Sequence, residues 1–484
     1  MKYLYKLKKF IKKAFKFLLP AYHYLWSFFS NYFYGLPSNK LLVIGVTGTT
    51  GKTSSVYLLA KTLRETGFKT GFSSTAMFSD GENDWLNRKK MTMPGRNFTQ
   101  KLLKKMLKNN CKYAIIETTS EGIRQFRHIG VDYDILIFTG LFPEHIESHG
   151  SFEKYKKAKQ KLFKYLKYCK VKYTDDNHKV VINPSKLKSL ELNKVKKTII
   201  ANGDDKHMKD FLKFWAQNKI AYTNRKQEDF LDNLKEENTS LSKEVEVISY
   251  DNVLVNSKGT SFNANYKEIN LQLLGEFNVL NALNVLAVGE SRNIDFNKLK
   301  TSLENITGIP GRSEKINAGQ KFLCIVDYAY EPKALQKLYE TVEILRNYPS
   351  VGTKGKIIHL LGSAGGGRDK ARRPELGKIA GQNADYVIVS NEDPYDEDPM
   401  QIIEQVAQGA KEIGKKTDKD LFKILDRREA IKKAISLADD DDVVLFTGKG
   451  SEQAICMANG KKFKWDERVV VKEEILSSLN LLDK

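Results

Sequence analysis

The chain has 484 residues, enough for two or three domains with sizeable cores. Its four cysteines, Cys111, Cys169, Cys324 and Cys456, are scattered without short paired spacing; this excludes a zinc cluster or a small disulfide scaffold and fits a reducing cytoplasm. The net charge of +21, from 80 basic and 59 acidic residues, raises nucleic acid or anionic membrane as partners, but no aromatic-interleaved recognition motif accompanies it, so nucleic acid is not expected.

Much of the excess charge sits at the start. Residues 1–40 carry Lys2, Lys6, Lys8, Lys9, Lys12, Lys13, Lys16 and Lys40 and no acidic residue. The segment 1–39 reads as a basic amphipathic helix running into the aromatic stretch AYHYLWSFFSNYFYGLP. It lacks the cleavage site of a secretory signal, and Pro20, His23 and Asn31 interrupt the apolar run from Leu18 to Tyr34, which is too short and polar for a membrane span. Two readings stay open. Residues 1–34 rest on an anionic membrane surface, lysines toward lipid headgroups and Tyr and Trp in the interface, or the aromatics pack on the protein's own body or a second subunit.

From Lys40 to about Lys170 apolar strands alternate with amphipathic helices, which predicts an α/β domain with a mostly parallel sheet. The first strand, Val43 to Val46, enters Thr47-Gly48-Thr49-Thr50-Gly51-Lys52-Thr53-Ser54, followed by the helical pattern Val56, Leu58, Leu59, Leu63. A strand, a glycine turn and a helix beginning at Lys52 form a phosphate cradle: backbone N–H groups face the phosphates, Lys52 neutralises them and the Thr53 hydroxyl holds Mg²⁺. Val46 stands where the general pattern has a glycine. Glu117 closes the strand Tyr113 to Ile116, at the carboxyl edge where open α/β sheets place ligands, and suits a Mg²⁺ ligand. His145 follows the strand Asp134 to Thr139, and Lys159 lies on a helix starting near Ser151. A Lys/Asn-rich stretch follows, with strand-like pieces at Val180–Ile182, Thr198–Ile200 and Val245–Leu254 that predict a smaller accessory sheet. Residues 273–289 read as a turn and a buried helix. Thr307 to Gly311 breaks the pattern, and a new βα series from Phe322 predicts a second, Rossmann-like domain. The expected domains are 1–39, 40–310 and 311–484.

These motifs and their order carry a resemblance. VTGTTGKTSS, ETTSEGIRQFR at 117–127, FTGLFPEHIESHGSFEKYKKAKQKLF at 138–163, GEFNVLNAL at 275–283, GIPGRSEKI at 308–316, VDYAYEP at 326–332, GSAGGGRDKARRPELG at 362–377, EDPY at 392–395 and GKGSE at 448–452 are similar to those of the Mur ligases, and within them of the UDP-MurNAc-tripeptide synthetases (MurE type). The resemblance covers about residues 40–475. It implies a central P-loop Mur-ligase ATPase domain plus a C-terminal Rossmann-like amino-acid-binding domain. It implies an ADP-forming amide ligase of peptidoglycan synthesis in the cytoplasm, peripheral at the membrane face if residues 1–34 bind lipid, acting as a monomer on a UDP-MurNAc-peptide or related precursor and an amino acid. ATP would phosphorylate a peptide carboxylate, and an amine would attack the acyl phosphate; such chemistry needs positioned cations rather than an acid–base triad.

By the same resemblance Gly48, Thr49, Thr50, Gly51, Lys52, Thr53 and Ser54 hold ATP, Thr53 and Glu117 one Mg²⁺, and His145 with a carbamylated Lys159 a second. The spacing Tyr155-x-x-Ala158-Lys159-x-x-Leu162 selects Lys159 over Lys156, Lys157 and Lys161. Asn278 would face the adenine, Arg312 and Asp327 would reach the nucleotide, and Thr92, Ser120 and Arg127 would hold the acceptor. Arg368, Asp393, Tyr395, Gly448 and Glu452 would hold the amino acid. Departures accompany the matches. Relatives carry a domain gripping the UDP moiety where this chain has residues 1–39, and Glu121, Tyr330 and Ser451 each replace a histidine. Tyr395 replaces the arginine with which diaminopimelate enzymes clamp a distal carboxylate, so lysine or ornithine is the expected donor. The alternatives are a folylpolyglutamate-synthetase-like or poly-amino-acid ligase and a non-catalytic membrane-tethered scaffold.

Overall fold

A computed structural model describes residues 19–144, 149–175, 180–183, 192–346, 355–367 and 370–482. The central body is built on one sheet of eleven strands. In chain order these are β1 (Leu42–Thr47), β2 (Thr70–Ser73), β3 (Met77–Ser79), β4 (Asp84–Leu86), β5 (Tyr113–Glu117) and β6 (Ile135–Phe138). After a separate ribbon of β7 (Tyr173–Thr174) and β8 (Asn193–Lys194) come β9 (Thr198–Asn202), β10 (Asn218–Thr223), β11 (Val245–Asn256), β12 (Gly259–Ala264) and β13 (Lys267–Leu271). The order across the sheet is β13-β12-β11-β10-β9-β6-β1-β5-β2-β3-β4, parallel from β11 to β2 and antiparallel at both edges.

The near-continuous apolar run of β1 reflects cover on both faces. Leu42, Ile44 and Val46 point into a core with Val56, Leu59 and Leu63 of the helix Lys52–Glu65 and Val279, Leu283 and Leu286 of the helix Phe277–Ser291. Val43 points the other way, onto Leu103 and Met106 of Arg96–Lys108 and Leu162 and Phe163 of Phe152–Leu166. The expected accessory sheet is corrected here. Thr198–Asn202 is wholly buried and pairs in parallel with β6, and Val245–Asn256 extends the same sheet before turning into an edge hairpin. Val181 makes only an isolated bridge to Tyr173. The Lys/Asn-rich connections hide a continuation of the parallel order, because only the buried strands keep an apolar signal.

The second sheet comprises β14 (Glu314–Lys315), β15 (Leu323–Val326), β16 (Ile357–Leu361), β17 (Tyr386–Ser390), β18 (Leu421–Ile424) and β19 (Val443–Phe446). Its order is β14-β15-β19-β16-β17-β18, parallel except for β14. Helices Pro332–Arg346, Arg372–Asn383 and Pro399–Glu412 cover one face; Arg427–Ser436 and Glu467–Leu482 cover the other.

The helix Leu19–Phe33 lies against Arg96–Lys108 with its polar face inward: Ser27, Ser30 and Asn31 are buried. Its aromatic face points out, with Phe29 63 % and Phe33 79 % exposed. Tyr24 meets the ring of Phe126 edge-on, and Trp26 Nε1 donates to Asn97 Oδ1 at 3.0 Å. The basic part of the expected amphipathic helix, residues 1–18, lies outside the described residues. Among the described residues no helix is long and apolar enough to cross a membrane, and the four cysteines are buried and unpaired.

Candidate active site

The turn after β1 curls into the space between the two sheets. A Cβ at Gly48 would meet Thr139 Oγ1 at 2.0 Å, and Gly51, at φ 78°, caps the helix Lys52–Glu65 beside the Asn281 side chain. Both positions therefore require glycine. The loop is braced by Thr49 N–H to the Gly140 carbonyl (2.9 Å) and by Thr139 Oγ1 to the Thr50 carbonyl (2.6 Å); Lys52 Nζ donates to the Thr49 carbonyl at 2.5 Å. Ser54 is buried in the first helical turn.

Glu117, 1 % exposed at the carboxyl end of β5, anchors a chain of hydrogen bonds. Its Oε2 accepts from Thr53 Oγ1 at 2.9 Å and from Thr75 N–H at 2.8 Å, and its Oε1 accepts from Thr75 Oγ1 at 2.9 Å. Thr75 Oγ1 also lies 2.7 Å from Thr92 Oγ1, and Arg312 Nη2 donates to Thr53 Oγ1 at 3.4 Å. The run Thr92–Thr75–Glu117–Thr53–Arg312 thus joins the expected acceptor, metal and nucleotide positions across both sheets. A hydroxyl and a buried carboxylate converging beside a phosphate loop are hard oxygen donors, which fit a magnesium-type cation.

Lys159 points inward, 1 % exposed, with Nζ donating to the Gly48 carbonyl at 2.7 Å and resting over the Tyr155 ring. Burial, reinforced by the Lys52 ammonium, pushes its pKa well below the usual lysine value. Lys157 and Lys161 on the same helix are exposed, and Lys156 pairs with Glu153 and Asp210. His145 and Arg368 lie outside the described residues.

From the second domain, Asp327 accepts from Ser313 and Ala329 N–H groups at 2.6 Å each, which fixes the loop carrying Arg312. Asn278 does not line the cavity: its amide donates to the Leu274 carbonyl (2.9 Å) and accepts from Asn281 Nδ2 (3.0 Å), while Asn281 and Asn284 form the wall. Ser120 Oγ lies 3.1 Å from His149 Nε2. Arg127 turns back onto the Met93 carbonyl and Gln125, steadying the Thr92 loop from behind.

The end of the cavity expected to take the amino acid is acidic. Asp393 Oδ1 accepts from Cys456 N–H (2.7 Å) and Lys449 Nζ (3.1 Å); Glu452 accepts from Tyr328 OH (3.1 Å) and Lys449 Nζ (2.8 Å). Burial opposes the charge on Glu452, but the Lys449 and Lys90 ammonium groups hold its pKa down at about 2. Tyr395 adopts a left-handed backbone (φ 52°) and packs on Gly366. Gly448 leaves no room for a Cβ beside Glu392, whose carboxyl burial pushes up in pKa. One cavity of about 520 Å³ runs from Lys52 and Thr53 past Glu117, Thr92 and Ser120 to Tyr395 and Glu452.

Sequence reading missed Thr75, Lys90, Glu144, Asn281, Tyr328 and Lys449. Thr75 follows β2 at the same carboxyl edge as Glu117, a signal that sheet order would have supplied. Glu144, 6 % exposed and adjacent to His145, accepts from Tyr330 OH at 3.1 Å, so the tyrosine standing in a histidine's place bridges the two domains.

Family models for the Mur ligase middle domain and for the Mur ligase glutamate ligase domain match residues 46–192 and 311–450. A UDP-N-acetylmuramyl-tripeptide synthetase of Borreliella burgdorferi is 36 % identical over 93 % of this chain and 79 % of its own length, and one of Roseiflexus sp. is 33 % identical over 90 % and 78 %. The chain belongs to the Mur ligase family. A UDP-N-acetylmuramoyl-L-alanyl-D-glutamate–2,6-diaminopimelate ligase of Halalkalibacterium halodurans is 31 % identical over 92 % of this chain and 80 % of the relative. A solved structure of such a diaminopimelate ligase superposes with TM-score 0.54 at 25 % identity, covering 91 % of this chain and 79 % of that one. Folylpolyglutamate synthase of Mycobacterium tuberculosis shares the fold, with TM-score 0.58 at 14 % identity over 93 % and 92 %. This Mur ligase is accordingly an ATP-dependent, ADP-forming acid–amino-acid ligase.

Proposed function

We propose that the chain adds an amino acid without a distal carboxylate, lysine or ornithine, to the peptide of a UDP-MurNAc-type peptidoglycan precursor. The observation that carries this reading is a continuous cavity with the phosphate loop at one end and Tyr395 and Glu452 at the other, where the cavity residue Lys90 pairs with Asp393. Such a space holds a γ-phosphoryl group, an acceptor carboxylate and a donor amine in one line, as acyl phosphate formation and aminolysis require. Thr92 and Ser120 face the acceptor. Lys52 and Arg312 meet the phosphates, Arg312 only while the domains are closed, and closure keeps water from the acyl phosphate. Thr53 and Glu117 would hold Mg²⁺, and Lys159 as its carbamate would add a carboxylate-like ligand with His145. The metal, when bound, supplies positive charge to the phosphoryl oxygens. Tyr395 offers no ion pair to a distal carboxylate, and Asp393 and Glu452 favour a cationic donor.

The exposed aromatic face of Leu19–Phe33, which lysine-rich residues precede in the sequence, supports a second element of the proposal. The enzyme rests peripherally on an anionic membrane through residues 1–34. The testing experiment measures ADP release with a panel of amino acids against UDP-MurNAc-dipeptide, its lipid-linked form and folate. Lysine- or ornithine-dependent ADP formation with a muropeptide acceptor is expected; turnover with folate alone would overturn the reading.

A further inference from the structure

The donor end of the cavity already contains a primary ammonium, and it belongs to the other domain. Lys90 sits on the loop between β4 and Arg96–Lys108 of the central body, yet its Nζ pairs with Asp393 Oδ2 and, at 2.7 Å, with Glu452 Oε2 of the C-terminal domain. Its side chain is 5 % exposed, and the pairing raises its pKa against the opposing effect of burial.

Asp393 Oδ1 and Glu452 Oε1 are committed to fixed partners within the C-terminal domain, the Cys456 N–H and Tyr328 OH among them. Asp393 Oδ2 and Glu452 Oε2 meet at Lys90 Nζ, and Glu452 Oε2 also accepts from Lys449 Nζ at 2.8 Å. Among the described residues Lys449 is the one cation that the C-terminal domain brings to both acids, so two carboxylates and one ammonium leave this seat with one net negative charge until Lys90 arrives. A seat of that charge and shape accepts a primary ammonium whether tethered or free.

Resting on the ligase reading above, we infer that Lys90 is a built-in competitor for the amino-acid donor. Its ammonium occupies the seat of the donor's cationic group, and the donor binds by displacing it. The loop is made to move as a unit. Asn87 Nδ2 ties it to the carbonyls of Ser74 and Met91, Lys90 itself is held in the left-handed backbone region (φ 52°), and Thr92, two residues on, bonds Thr75 and through it Glu117. Displacement of Lys90 therefore reaches the acceptor and phosphoryl-transfer residues, so donor entry and acceptor seating are coupled through seven residues of chain, 87–93.

The test uses the full-length enzyme. Steady-state kinetics of Lys90→Met, which keeps the stem and removes the charge, should show the lysine KM lowered about tenfold, with kcat changed less than KM. In the wild-type enzyme, Lys90 should resist reductive methylation, read by mass spectrometry, and become reactive when lysine, acceptor and a non-hydrolysable ATP analogue are all at saturation. A raised donor KM in Lys90→Met, or Lys90 reactivity unchanged by saturating donor, would overturn the inference while wild-type lysine-dependent ADP release leaves the ligase reading intact. Absence of donor-dependent ADP release in wild type would instead overturn the ligase reading on which it rests.

Discussion

Replacing Lys159 by methionine takes one nitrogen out of a site where the side chain is 1 % exposed and leaves its volume nearly unchanged. The structural cost follows from the bond lost. Nζ donates to the Gly48 carbonyl at 2.7 Å, and an unpaired buried carbonyl costs about 1–3 kcal/mol. At about 2–4 °C per kcal/mol, the melting temperature should fall by several degrees with the fold retained. The functional cost is larger, because the carbamate would supply a carboxylate-like ligand for Mg²⁺ beside the phosphate loop. Losing one preorganised electrostatic group of this kind costs about 100- to 1,000-fold in kcat. The assay is coupled ADP release under saturating substrates, with Lys157→Ala and Lys161→Ala, both at exposed positions, as controls that should remain near wild type. A short carboxylate in the buffer should restore part of the activity. Full activity in Lys159→Met, or a loss confined to Lys156→Ala, would refute the assignment.

Three further outcomes are expected. Buried His359, bonded to Tyr339 OH and Thr447 Oγ1, has its pKa lowered to about 3 by burial, with Arg427 adding to the shift. The unfolded chain therefore takes up this proton first, so His359 contributes full stability above about pH 6.5 and loses about 1.4 kcal/mol per pH unit as the pH falls toward 3. Urea unfolding of His359→Gln across pH 4–7 should show a shallower acid loss, and an unchanged slope would contradict the burial argument. In competition at equal concentration, lysine should be incorporated in preference to meso-diaminopimelate by roughly a hundredfold, with Tyr395→Arg shifting the ratio toward diaminopimelate; mass spectrometry of the product decides. Phe29→Ser combined with Phe33→Ser, both at exposed positions, should leave ADP release intact and weaken co-sedimentation with anionic vesicles several-fold, and equal sedimentation would remove the membrane reading.

The chemistry-bearing segments were legible in the sequence because each is local. A strand entering Gly48-Thr49-Thr50-Gly51-Lys52-Thr53 can do little but turn around a phosphate, and Glu117 at the end of an apolar strand must surface at the sheet's carboxyl edge. The buried helix at Phe277–Ser291 and the restart of βα units at Leu323 were equally plain from periodicity and glycine punctuation. Sheet order was not legible, since hydrogen bonding between β6 and β9 joins segments separated by the helix Phe152–Leu166 and a Lys/Asn-rich stretch, and nothing in that spacing marks them as neighbours. The inward polar face of Leu19–Phe33 was hidden for a related reason: a helix surface reads as core or as exposed only against the neighbour that covers it, here Arg96–Lys108. Composition decides that aromatics and lysines are present. Only the tertiary contacts decide that Ser27 and Asn31 turn inward, that Asn281 rather than Asn278 faces the cavity, and that Lys90 reaches about 300 residues along the chain to Asp393, because electrostatic and packing partners are chosen by distance in space, which sequence spacing does not encode.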